Sequence, residues 1–328
     1  MLASSSANRD SPFDVLTLKP RRAKASAMSI DLADNMKAFA AAFEVALEGL
    51  LSAEIQPNEQ ARPARLREAM RYGSLEGGKR LRPFLLNESA RLFAEPSPAI
   101  MRIGAALECI HCYSLIHDDL PAMDNDDLRR GRPTVHRAYD EATAILAGDS
   151  LLTLAFDIIA APETELEAAI KIRLISDLSR SSGLGGMAGG QALDLDAEIN
   201  PPDEAGIVLL QAMKTGALLR FAASAGAVAN GANQSDIARL TRFGEIVGLA
   251  FQIADDLLDL TADAATMGKA TGKDAARGKG TLVSLHGPGW ARRKLEALEA
   301  EAREILLPYG QKAATLNALA AFIGRRSS

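Results

Sequence analysis

The chain has 328 residues, enough for one large domain or two ordinary ones. Hydrophobic residues make up 48% and charged residues 24%, the balance of a globular protein. The formal net charge of −5 argues against a nucleic-acid partner held by bulk electrostatics, and leaves room for a local basic pocket that takes an anion.

Residues 1–27 mix Ser, Arg, Lys, Pro and Asp without helical periodicity. They lack a secretory h-region, and Asp10 and Asp14 weaken a transit-peptide reading, so a disordered tail is expected there, with Met28 a candidate translation start. Residues 28–328 are expected to form a single all-α domain. Apolar residues recur at three and four through Met36, Phe39, Phe43, Val45, Leu47, Leu50 and Leu51. Alanine is abundant and β-branched runs are short, which favours helix. Turn signals separate the periodic segments at Gln56-Pro57-Asn58, Glu95 to Pro98, Ala161-Pro162, Asn200-Pro201-Pro202, Gly226 to Gly231 and His286 to Gly289. No strand-turn-strand signature and no solenoid repeat is apparent, so helices around a central cavity are expected. A membrane span needs about 20 apolar residues in succession. Glu44, Asp149, Asp157, Lys214 and Arg220 interrupt the apolar runs, and no span is expected.

Gly77-Gly78-Lys79-Arg80-Leu81-Arg82-Pro83 is the first stretch that carries chemistry. Its glycines allow close backbone approach. Lys79 and Arg82, three apart, would be neighbours on a helical turn and suit a diphosphate, arginine offering a planar donor fork. The spacing is not that of a Walker A loop.

Cys109 and Cys112 follow, with His111 between them. A redox C-x-x-C needs a strand-turn-helix context, and a structural zinc needs two further ligands. Both cysteines therefore read as small apolar helix residues. With no secretory signal, a reducing cytoplasm is the default location.

His117 to Asp127 is the strongest feature: five aspartates (118, 119, 124, 126 and 127) directly after the apolar run Ile103 to Ile116. Carboxylates this close repel by about 1 kcal/mol per pair even in water. Such a cluster at the end of a buried helix implies a neutralising cation, and hard oxygen ligands with room for water and phosphate describe magnesium. A calcium loop starting at Asp124 fails, because Arg129 and Val135 occupy the positions that need Gly and Glu. Arg129-Arg130-Gly131-Arg132 comes next, cations placed to grip the same anion. The second acidic cluster, Asp255-Asp256-Leu257-Leu258-Asp259, is expected to end the apolar helix Phe243 to Ile253. Asp255 and Asp259, four apart, share a helix face, and Asp256 points about 100° away. Lys214-Thr215, and the Gly- and Lys-rich loop from Gly268 with Lys269, Lys273 and Lys279, complete the basic groups; the loop reads as a lid over a diphosphate.

These motifs, in this order from about Asp31 to Arg326, resemble the trans-isoprenyl diphosphate synthases, most like the bacterial farnesyl diphosphate synthases. Glu108 to Thr134 resembles that family's first aspartate-rich motif in its longer form, and Phe251 to Asp259 the second. GGKRLRP and Gly186 to Gln191 with Asp194-Leu195 match as well.

The resemblance implies the all-α isoprenoid synthase bundle, a homodimer, and condensation of isopentenyl diphosphate with an allylic diphosphate. It implies three Mg²⁺ ions, with Mn²⁺ as a substitute, on Asp118, Asp124 and Asp255, with Asp119 and Asp259 in support. It assigns the allylic diphosphate to Arg129, Lys214 and Lys269. Isopentenyl diphosphate falls to Gly78, Lys79, Arg82, His111 and Arg130, with Gln191, Thr215, Gln252 and Lys279 as further active-site positions. Tyr113 and Ser114, five and four residues before Asp118, would floor the cavity, the Tyr113 ring roughly 7 Å below Asp118. A bulky floor implies a farnesyl product, with geranylgeranyl as the alternative. A terpene cyclase would carry a different second motif and would not need GGKRLRP. A non-catalytic regulatory subunit would tend to lose the aspartates, which are intact here.

Overall fold

The computed structural model describes residues 31–75, 77–265 and 280–325, with side chains to residue 260 in the long middle segment. The expected tail, residues 1–27, and the loop that carries Lys269, Lys273 and Lys279 lie outside the described residues.

The fold is all-α, as expected. The helices in chain order are α1 (Leu32–Leu50), α2 (Ala64–Ser74), α3 (Leu81–Arg91), α4 (Pro98–Asp118), α5 (Val135–Ala138), α6 (Glu141–Ala160), α7 (Ala168–Ser182), α8 (Met187–Asp196), α9 (Glu204–Gln211), α10 (Ala217–Ala229) and α11 (Gln234–Ala265). Helices Leu282–His286, Pro288–Leu306 and Ala314–Gly324 close the chain. Their starts are written in the sequence. Asp31, Asp140 and Asp203 each accept a hydrogen bond from the backbone N–H three residues on, and Pro98 stands in the first turn of α4.

α4 is the central element, packed by α1, α3, α6 and α10. Ile103, Leu107 and Ile110 on it are fully buried, each worth about 1.5–3 kcal/mol relative to exposure. A helix apolar on most of its faces belongs in the middle of a bundle. Cys109 and Cys112 are part of this core as free thiols, and burial pushes the Cys112 thiol up to about 12. They are therefore protonated and inert at neutral pH.

Four expectations need correction. Gly226 does not end a helix: it lies inside α10, where a Cβ would fall 2.4 Å from the Ala90 backbone nitrogen, so its hydrogen lets α10 lie against α3. The second acidic cluster does not terminate its helix either, because α11 continues through it to Ala265. A two-strand hairpin exists, β1 (Leu128–Arg129) with β2 (Arg132–Pro133). Arg130 and Gly131 at its turn have φ of 53° and 76°, the left-handed pair that a tight hairpin turn requires. Finally, α4, α6 and the segment Glu204–Ala229 are each long and apolar enough to cross a membrane by length and composition. In this fold 67% of the apolar window of α4 is buried within the protein, and 44% of each of the other two.

Candidate active site

α4 delivers the first aspartates at its C-terminus, where the helix dipole already places partial negative charge. The chain then folds back on itself. The Asp124 N–H donates to the Asp118 carbonyl at 2.8 Å and the Asp126 N–H to the Asp119 carbonyl at 3.2 Å, with Asn125 at φ 51° making the bend. Residues six and seven apart are thus returned to the same helix end. Burial, opposed by Lys214 and reinforced by Asp124, raises the Asp118 carboxyl to about 6.

Asp119 faces another way. It is 2% exposed and accepts from Arg129 Nε at 2.8 and 2.9 Å and from Nη2 at 2.5 Å. The hairpin turn is what brings Arg129 into this bidentate pairing.

The basic stretch is a loop leading into α3, so Lys79 and Arg82 do not share a helical turn as the spacing suggested. Gly78 has φ 81° and Arg80 φ 47°, and helix begins only at Leu81. Arg80 is the group that fixes this loop. It is 3% exposed and donates to Glu108 at 2.7 Å, to Glu44 at 2.7 and 3.1 Å, and to the Ser74 carbonyl at 2.6 Å. Lys79 and Arg82 are displayed on either side of that anchor. Glycine at 77 and 78 makes room for a third cation, since a Cβ there would fall 2.6 or 2.9 Å from the Arg130 guanidinium. Arg82 Nη1 lies 3.4 Å from His111 Nε2. Burial, then Arg82, Arg130 and Arg129, hold the His111 pKa well below its ordinary value, so the imidazole is neutral. The Arg82 Nε is buried without a partner among the described residues.

Lys214 and Thr215 stand in a π-helical turn, Ala212–Gly216, inserted between α9 and α10. Such turns break the regular register and redirect side chains. Gly190 on α8 permits it, because a Cβ there would fall 2.2 Å from the Lys214 backbone nitrogen. Lys214 Nζ donates to Asp194 at 2.7 Å. On α11, Asp256 accepts from Gln211 at 3.2 Å, on a different face from Asp255, as helical spacing requires.

Two cavities form where these elements meet. One, of about 380 Å³, is lined by Tyr113, Ser114, Asp118, Gln191 and Lys214. The other, of about 500 Å³, is lined by Gly78, Lys79, Arg129, Arg130, Gln252 and Asp255. Arg82, His111, Leu115 and Thr215 belong to both walls, so the carboxylate-lined and cation-lined spaces adjoin. Gln191 contributes an amide whose nitrogen and oxygen are both buried without a partner among the described residues, so it has a donor and an acceptor to offer a polar ligand. Asp119, Asp124 and Asp259 do not line either cavity. A cavity of about 730 Å³ between α1, α4 and α6 gathers none of the candidate catalytic, metal or substrate residues named above.

The donors suit a hard divalent cation: carboxylate oxygens, with the half-buried Asp118 carboxyl carrying a raised pKa that a bound cation would reverse. Among the described residues no three acidic, imidazole or thiol groups converge on one point.

Arg80 and Asp194 belong to motifs visible in the sequence but had no role assigned there; Arg80 sets the loop and Asp194 holds Lys214. Glu108, a lone acid inside the apolar α4, was the visible signal for a buried cation.

A model of the family described as polyprenyl synthetase matches residues 63–314. The chain is 46% identical over 265 residues to farnesyl diphosphate synthase of Escherichia coli (strain K12), covering 79% of this chain and 89% of that one. It is 43% identical over 270 residues to geranylgeranyl pyrophosphate synthase 9, chloroplastic, of Arabidopsis thaliana, covering 81% and 75%. The crystal structure of an FPP/GFPP synthase from Zymomonas mobilis superimposes with a TM-score of 0.80 at 41% identity, over 90% of this chain and 100% of that one.

Proposed function

The chain belongs to the polyprenyl synthetase family, and we propose that it is a short-chain trans-prenyltransferase that joins isopentenyl diphosphate to dimethylallyl and geranyl diphosphates to give farnesyl diphosphate. One observation carries this reading: a carboxylate-lined cavity and a cation-lined cavity share a wall of Arg82, His111, Leu115 and Thr215. Two anionic substrates, one needing metal and one not, fit two such spaces.

The family uses a divalent metal. For this chain the proposed ions are three Mg²⁺, or Mn²⁺ in their place, on Asp118, Asp124 and Asp255 with Asp259 in support. When bound, they supply Lewis-acid neutralisation of the departing diphosphate. Asp119 supports the site through Arg129, whose guanidinium it orients. Arg129, Lys214 and Lys269 take the allylic diphosphate, and Asp194 aims Lys214. Lys79, Arg82 and Arg130, with Gly78 and neutral His111, hold isopentenyl diphosphate without metal. Gln191, Thr215 and Gln252 complete the polar lining, and Lys279 is a further proposed substrate contact that lies outside the described residues. Loss of diphosphate leaves an allylic cation, the isopentenyl double bond attacks it, and a proton leaves to the departing diphosphate. Leu115, Met123 and Met187 around the first cavity keep water from the cation.

Tyr113 supports the fifteen-carbon product, since its ring lines the cavity beside Asp118. The Arabidopsis relative keeps a twenty-carbon product as the alternative. Tyr113→Ala is expected to move the main product of an assay with geranyl diphosphate from fifteen to twenty carbons or more. An unchanged product would remove Tyr113 from the floor. Exposed Ile145 and Leu146 on α6 support a homodimer, for which light scattering at twice the chain mass is the expected reading and monomer mass the contrary one.

A further inference from the structure

His117 and Gly148 make an arrangement that the condensation itself does not use. His117 stands one turn beyond Tyr113 on α4, and the two rings meet edge to face, 5.8 Å between centroids and 77° between planes. On its other side His117 Nε2 lies 3.0 Å from the Ile145 carbonyl oxygen on α6. A carbonyl only accepts, so Nε2 carries the proton and donates. The notch that receives the imidazole exists because residue 148 has no side chain: a Cβ there would fall 2.0 Å from Nε2 and 2.4 Å from Cδ2. Ser114, the other floor candidate, bends back to donate to the His111 carbonyl at 2.9 Å, which leaves the floor to the Tyr113 ring.

We propose that His117 and Gly148 are positioning residues for product length: α6 grips the imidazole through the Gly148 notch and the Ile145 carbonyl, and the imidazole edge holds the Tyr113 ring across the cavity. The inference rests on the reading of Tyr113 as the floor. A tyrosine ring turns about two bonds and stops a growing chain only while a neighbour fixes it. With the imidazole gone or pushed from its notch, the ring turns aside and the chain passes.

The test feeds isopentenyl diphosphate and geranyl diphosphate, with Mg²⁺, to the full-length protein and to Tyr113→Ala, His117→Ala, Gly148→Ala and Gly148→Ala/His117→Ala. Products are dephosphorylated, and the ratio of twenty- to fifteen-carbon alcohol is measured. The ratio is internal to each variant, so a change in total turnover divides out and a merely structural defect leaves it where it was. An edge-to-face aromatic contact predicts a roughly 3- to 10-fold rise in the ratio for His117→Ala and for Gly148→Ala. Gly148→Ala adds nothing in the His117→Ala background, where no ring remains to be displaced. If Gly148→Ala does not fold, His117→Ala carries the test alone. A raised ratio in Tyr113→Ala with unchanged ratios in His117→Ala and Gly148→Ala overturns the inference and spares the Tyr113 reading. Unchanged ratios in all three, Tyr113→Ala included, overturn both.

Discussion

Asp118→Ala is expected to lower kcat by about 10³-fold or more while the far-ultraviolet circular dichroism of the helices stays unchanged. The carboxylate sits at the negative end of α4, half-buried, with Asp124 folded back toward it by the hydrogen bond between their backbones. In that place it serves no packing purpose that alanine would not meet at lower electrostatic cost. The proposed metal is what gives it a purpose, and the departing diphosphate depends on that charge most in the transition state. The loss therefore falls on kcat more than on KM for isopentenyl diphosphate, which the cation-lined cavity binds. Asp255→Ala should behave in the same way from α11. A variant of Asp118 that keeps more than a tenth of wild-type kcat in Mg²⁺ would remove this residue from the metal.

Arg80→Met is expected to destabilise the fold by about 3–5 kcal/mol, measured by chemical denaturation, because it removes the cation that Glu108 is buried against. The side chains of Arg80 and Glu108 are 1% and 4% exposed, so water cannot take over. Burial works against the charge on Arg80, yet Glu108, with Glu44 in addition, holds its pKa above the ordinary value. The same change loosens the loop that displays Lys79 and Arg82, so a raised KM for isopentenyl diphosphate accompanies the loss of stability. Wild-type stability in Arg80→Met would mean that the buried triad is incidental. Wild-type KM in a variant that is clearly less stable would separate the anchor from the binding loop.

The helical class was legible because the chain writes periodicity and punctuation separately, as in α4 between Pro98 and the aspartates. Gly226 misled because a glycine has two uses, ending a helix or letting two helices touch, and only the presence of Ala90 opposite tells them apart. Lys79 and Arg82 were legible as cations but not as neighbours. The left-handed backbone at Gly78 and Arg80 breaks the spacing argument, and nothing short of the Glu44–Arg80–Glu108 contacts predicts it. Asp118 and Asp255 could be singled out because charge beside an apolar helix is costly. Asp194 stood in a recognisable motif, but its role could not be read until Lys214 is seen beside it. The His117 notch is invisible in sequence for the same reason: Gly148 lies thirty-one positions further along and meets the imidazole only when α6 packs on α4.

Incorporation of labelled isopentenyl diphosphate reads out metal-dependent joining of two diphosphates. Full-length protein with geranyl diphosphate and Mg²⁺ should yield labelled fifteen-carbon alcohol after dephosphorylation, and EDTA should abolish the label. Consumption of geranyl diphosphate with no label in the product, or label incorporated equally well in EDTA, would contradict it.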